Sequence, residues 1–80
     1  MVICSEKFGN LIAKDLEKNQ DSVMEVNLKD FKNGRYCVTA RVYRVVMNLN
    51  EVSKFTKIAE EYDVEFRISI SGGYFKFEYY

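Results

Sequence analysis

Eighty residues with 12 basic and 12 acidic side chains are formally neutral at pH 7 and make one domain, too short for two independent cores. Neutrality writes no bulk attraction to nucleic acid or anionic membrane into the composition, and no apolar run approaches the ~18 residues that span a bilayer. Histidine is absent, which removes the commonest acid–base residue, the commonest metal ligand and every Ser-His or Cys-His nucleophile.

The opening "MVICSEKFGN" has neither the basic n-region nor the long apolar h-region of a signal peptide, so a cytoplasmic location is expected. Met1 to Cys4 reads either as a short strand or as an extended arm. Glu6 to Asn19 reads as a helix, because Phe8, Leu11, Ile12 and Leu16 fall on one apolar stripe. Ser5 is placed to cap it, Glu6 suits the positive end of the helix dipole, and Gly9 lowers the propensity by about 1 kcal/mol.

Two strands come next. In "SVMEVNLK", Met24, Val26 and Leu28 alternate with Glu25, Asn27 and Lys29, the period of a half-buried strand. The turn signal "DFKNGR" leads into "RYCVTARVYRVVM", rich in β-branched and aromatic residues. Tyr36, Val38, Ala40 and Val42 share one face there, and Arg35, Cys37, Thr39, Arg41 and Tyr43 the other. The alternation fails at Arg44-Val45-Val46, where a bulge is expected to return Val45 to the core.

The second helix has the clearest start. Asn48 as N-cap puts Glu51 at N3, a capping box, with Met47 and Val52 as a hydrophobic staple. Val52, Phe55, Ile58, Ala59 and Tyr62 form its expected buried side. The chain closes on "VEFRISISGGYFKFEYY", two alternating runs around Gly72-Gly73, which predicts a two-residue type I′ hairpin. That loop pairs Ser71 with Tyr74, Ile70 with Phe75, Ile68 with Phe77 and Phe66 with Tyr79, and assigns those apolar residues to the core. Arg67 then meets Glu78 and Ser69 meets Lys76 on the opposite face. A one-residue slip would bury the charges, so the register is strongly specified.

Two amphipathic helices and four strands, each with one apolar face, predict an α+β two-layer sandwich in αββαββ order. A ferredoxin-like βαββαβ variant is the alternative if residues 1–4 pair as a strand. Both helices on one side leave the other sheet face open. Its charged residues would be Lys29, Arg35, Arg41, Arg67 and Lys76 against Glu25, Glu65 and Glu78, with Tyr43, Tyr74 and Tyr80 among them. A solvated sheet is polar on its wet side by default, yet Arg and Tyr are also what protein interfaces favour. Arg41, Tyr43, Arg67, Tyr74 and Lys76 are therefore the candidate partner-binding residues.

Other chemistries find little footing. Cys4 and Cys37 lack metal-ligand spacing and read as small buried hydrophobes, reduced in a cytosolic chain. No metal or cofactor is implied. Gly72-Gly73 sits in a hairpin rather than ahead of a helix, so it is no phosphate cradle. Glu65 and Glu78 have the chemistry of an acid–base pair but no pocket to tune them, and the expectation is a protein that is not an enzyme. "NGRYCVTA" shares a basic-Gly-aromatic order with the RNP1 motif of RNA-recognition domains. Its register, however, turns Tyr36 inward and leaves Cys37 and Thr39 where such a domain stacks bases.

The expectation is thus a small protein-binding module, with RNA or DNA binding on the open face as the runner-up and self-association through a sheet edge or face as a further route. Phe, Tyr, Met, Ile, Asn and Lys outnumber Gly, Ala, Arg and Pro by about three to one, which points to an AT-rich source. By association with size and composition, the partner expected is a host protein or complex. The chain would then be a phage or mobile-element inhibitor of the anti-CRISPR or other anti-defence type.

Overall fold

The computed structural model describes residues 3–18, 24–44 and 46–80. In chain order they form α1 (Glu6–Lys18), β1 (Met24–Lys32), β2 (Arg35–Val42), α2 (Leu49–Tyr62), β3 (Phe66–Ser71) and β4 (Tyr74–Tyr79). The strands make one antiparallel sheet in the order β1-β2-β4-β3. This is the αββαββ sandwich expected from the pattern of elements. The ferredoxin-like alternative is not adopted: Ile3 and Cys4 belong to no strand, and the Cys4 carbonyl accepts the Tyr36 N–H at 2.8 Å as an extended arm. Met1 and Val2 lie outside the described residues.

Both helices start where their caps dictate. Ser5 Oγ accepts the Phe8 N–H at 3.2 Å, and the Ser5 carbonyl takes the Gly9 N–H to open α1. At α2 the Asn48 side chain accepts the Glu51 N–H at 2.9 Å while Glu51 accepts the Asn48 N–H, so the capping box is complete. Met47 and Val52 both pack on the core as the staple requires. Asp63, at φ 53°, ends the helix in the left-handed region, and its N–H reaches back to Ala59 and Glu60.

Ile12 and Leu16 of α1, Phe55, Ile58 and Ala59 of α2, Val38, Ala40 and Val42 of β2, and Phe77 and Tyr79 of β4 form the buried core. All the strand residues in that group lie on one face, so both helices cover the same side of the sheet. Phe55 stacks parallel on Phe77 with ring centroids 4.1 Å apart. Tyr79 is fully buried, yet its hydroxyl is satisfied by donating to the Phe55 carbonyl at 2.9 Å. Burial pushes that phenol far above its ordinary pKa. Tyr62 ties the helices together by donating to Asp15 Oδ2 at 2.8 Å. Desolvation first, and then that carboxylate, raise its pKa to about 12.

Four expectations are corrected. The buried side of α1 is centred on Gly9, Ile12 and Leu16, and Leu11 is exposed. About 100° of helix rotation separates Leu11 from Ile12, and the helix turns toward Gly9 because that is where it comes nearest the sheet. A Cβ there would stand 2.6 Å from Leu28 Cδ1. Second, β2 ends at Val42 instead of running on through a bulge; the Arg44 N–H turns back to the Val42 carbonyl at 2.9 Å. Val45, the residue the bulge was to rescue, lies outside the described residues. Third, β3 is an edge strand, and beyond Phe66, which packs on the core, its apolar side is left poorly covered. Ile68 is 43% exposed and Ile70 74%, although both keep their expected partners Phe77 and Phe75.

The fourth concerns the closing turn. Of the two glycines only Gly73 has a positive φ, 88°, so the turn is not type I′, which needs two. Register survives because loop length, not turn type, sets it: Ser71 still faces Tyr74 and Phe66 still faces Tyr79. The two positions should therefore respond differently to alanine. Gly73→Ala should cost about 1 kcal/mol or more through left-handed strain. Gly72→Ala, with open space around it, should be neutral or slightly stabilising. Equal losses in urea denaturation would mean that Gly72 also needs a left-handed backbone.

Candidate functional site

The sheet face away from the helices is set out in cross-strand rows by the two hairpins and the β2–β4 pairing. One row runs Glu25, Arg41, Lys76, Ser69; the next runs Asn27, Thr39, Glu78, Arg67. Beyond the first row, Tyr43 and Tyr74 stand side by side with ring centroids 5.5 Å apart and planes tilted by 53°. The Arg41 guanidinium lies over the Tyr74 ring, 6.0 Å from its centroid. Four of the five expected residues, Arg41, Tyr43, Tyr74 and Lys76, thus form one cluster. Arg67 is on the same face but one row away and across β4, with its guanidinium 5.9 Å from the Tyr80 ring centroid.

Glu25 organises one side of the cluster. It accepts from Tyr43 Oη at 3.0 Å, from Asn27 Nδ2 at 2.9 Å and from Arg41 Nη1 at 3.4 Å. Those bonds, Asn27 first and then Tyr43, hold its carboxyl below the ordinary value. Lys76 has no such answer: among the described residues it forms no ion pair, and its direct cross-strand neighbour is Arg41. Like charges opposite one another weaken a sheet. The core does not require this pair, since both side chains lie on the side away from the helices.

The two clustered tyrosines are shifted in opposite directions. Donation to Glu25 raises the Tyr43 phenol, whereas Ser71 and then Arg41, helped by the charge of Lys76, lower that of Tyr74. For Tyr74 the native state favours the phenolate. Its contribution to stability is present above the unfolded pKa and lost as pH falls through the folded one. Tyr43 has the reverse sign: its contribution is complete below the unfolded pKa and lost as pH rises through the folded one. In an alkaline absorbance titration, Tyr74→Phe should remove an early-ionising phenol and Tyr43→Phe a late one. An onset unchanged by Tyr74→Phe would show that Ser71, Arg41 and Lys76 together do not lower that phenol.

Cys37 belongs to this face by register, yet is only 2% exposed. Its thiol lies among the charges of Glu78, Lys76 and Lys29, and burial outweighs them in raising its pKa. Burial likewise raises the Cys4 thiol, helped by Cys37, and neither cysteine forms a disulfide. Both are the packed hydrophobes expected. Among the described residues no group of His, Cys, Asp and Glu could hold a metal ion. Tyr36 is turned to the helix side, where its hydroxyl donates to Glu6 at 3.1 Å, so it offers no outward ring in the RNP1 position.

No family model matches the chain, and no curated protein or solved structure does so either.

Sequence reasoning missed Glu25 as part of the cluster, and Phe31, whose ring takes the Lys29 ammonium 5.8 Å from its centroid. The outward face of Glu25 was readable from alternation but its partner was not: the Asn33-Gly34 turn alone would set it opposite Val42, and the register shift between Asp30 and Lys32 is what brings it to Arg41. Phe31 was not readable, because at that shift strict alternation no longer says where a side chain points.

Proposed function

We propose that this chain is a non-enzymatic protein-binding module whose open sheet face docks an acidic segment of another protein. Arg41, Tyr43, Tyr74 and Lys76 form the centre of the docking surface and Arg67 its flank. The observation that carries the reading is the Arg41–Lys76 pair, two cations set directly opposite each other beside a pair of partly exposed tyrosines. An incoming carboxylate between them would relieve their repulsion and gain two charge-assisted hydrogen bonds. The tyrosines supply rigid contact area with polar tips, the composition found at the energetic centre of interfaces. Small size and AT-type composition support the narrower reading of an inhibitor of a host protein, encoded by a phage or mobile element and of the anti-CRISPR or other anti-defence kind. No helix among the described residues is long and apolar enough to cross a membrane.

The same cluster favours one other reading. Two outward tyrosines flanked by cations are also a platform for bases and phosphates of single-stranded nucleic acid. The two readings separate by salt. Phosphate binding releases condensed counterions, so affinity falls steeply as salt rises. We expect random single-stranded RNA or DNA to bind no tighter than ~1 μM at physiological salt, well short of a specific complex. Fluorescence anisotropy showing tighter, steeply salt-dependent binding would replace the protein partner with a nucleic acid.

A further inference from the structure

The two edges of the sheet are built differently. β1 carries charge at four of nine positions (Glu25, Lys29, Asp30 and Lys32), its register shifts between Asp30 and Lys32, and Lys32 sits at φ 92°. Charges and an irregular backbone are the means by which proteins keep an edge from pairing further. β3 has little of this protection. It is six residues long, regular in register, and carries one charge, Arg67.

The backbone phase of β3 says what that edge offers. Glu65 and Tyr80 exchange both N–H···O bonds at 3.0 Å, so the odd-numbered residues of β3 turn their polar groups toward β4. Phe66, Ile68 and Ile70 therefore turn theirs outward, away from the sheet. The same three residues point their side chains to the helix side, where Ile68 and Ile70 stand largely uncovered.

We infer that β3 pairs antiparallel with β3 of a second copy of this chain about a two-fold axis at Ile68. This register satisfies the outward groups of all three residues, because Ile68 exchanges bonds with its own counterpart and Phe66 with the counterpart of Ile70. On the helix side, Phe66, Ile68 and Ile70 then make one apolar stripe with Ile70, Ile68 and Phe66 of the other copy. On the open side, Arg67 meets a serine, Ser69, so the only charge of β3 meets no like charge across the axis. That self-complementarity is what selects a second copy over an unrelated strand: an isologous contact needs one patch that matches itself when rotated. The axis runs perpendicular to the sheet. Both open faces consequently lie on the same side of an eight-stranded sheet, and the two Arg41–Lys76 clusters are presented together. A partner with two acidic segments would gain avidity from that arrangement without any new contact. The dimer itself does not rest on the docking role of the open face.

Sedimentation velocity over a low-micromolar to submillimolar range tests the inference, with hydrogen exchange on the same samples. The wild-type chain should move from 9.4 kDa toward twice that mass as concentration rises. The amides of Phe66, Ile68 and Ile70 should gain protection in step. Ile70→Lys alters a side chain already exposed in the monomer, so its far-UV spectrum should be unchanged while dimerisation weakens at least about tenfold. A wild-type chain that stays monomeric throughout overturns the inference. So does a dimer whose Phe66, Ile68 and Ile70 amides exchange freely, or one that Ile70→Lys leaves intact, since either places the contact elsewhere.

Discussion

Phe77→Ala is expected to destabilise the protein by about 3–5 kcal/mol, while Ile68→Ala, its direct cross-strand partner, is expected to cost about 1 kcal/mol. The two residues share a face and a row, so strand periodicity alone would give them equal weight. Their surroundings separate them. Phe77 is fully buried, stacked on Phe55 and flanked by Phe66 at 6.1 Å between centroids, and its removal opens a cavity that the helix cannot close. Ile68 lies on the uncovered edge strand with 43% of its surface in solvent. Truncating it removes little buried area and leaves no enclosed void. Urea denaturation of both variants, compared at dilutions where the chain is monomeric, decides the matter. Similar losses for the pair would mean that α2 covers β3 in solution.

That contrast marks how far periodicity could be read. The hairpin register from Phe66 to Tyr79 followed from alternation and a two-residue loop, and every pair expected is found. The start of α2 followed from side-chain chemistry within four residues, Asn48 to Glu51, and is equally local. What alternation cannot encode is which strand lies outermost and how far a helix extends across it. Ile68 and Ile70 have the same pattern as Val38 and Ala40, but α1 lies over β1 and β2, and neither helix extends far across β3 at the other edge. Leu11 shows the same limit on a helix. Its spacing fits the stripe, but the absent side chain of Gly9 sets the direction of closest approach, and a hydrophobic pattern gives a missing side chain no weight.

The open face was legible in part for a related reason. Alternation said which side chains point outward: Arg41, Tyr43, Arg67, Tyr74 and Lys76 all do. Adjacency depends on strand order, and order β1-β2-β4-β3 makes Arg41 and Lys76 neighbours while leaving Arg67 across β4. Had β3 lain beside β2, Arg41 would have had a different neighbour and the cluster would not exist.

Lys76→Glu offers the sharpest test of the docking role, because stability and binding should move in opposite directions. Opposite charges facing each other across strands stabilise a sheet by a few tenths of a kcal/mol, and like charges destabilise it by a similar amount. Replacing Lys76 by Glu turns the Arg41–Lys76 repulsion into an attraction, so the variant should melt no lower than the wild-type chain and slightly higher at low salt. The same change places a carboxylate where the acidic partner is to bind. Affinity should fall by 2 kcal/mol or more, about 30-fold, with Arg41→Glu/Lys76→Glu falling at least as far. Arg67→Glu, one row away, should cost less than either. The readout is capture of the partner from lysate of the source cell by immobilised wild-type and variant chains, alongside thermal melts of each. A variant that melts higher and binds at full strength would remove the open face from consideration and leave the helix side as the docking surface. A variant that melts higher and binds weakly would show that the cation pair is kept at a cost to the fold, which is what a binding site requires and a merely solvated sheet does not.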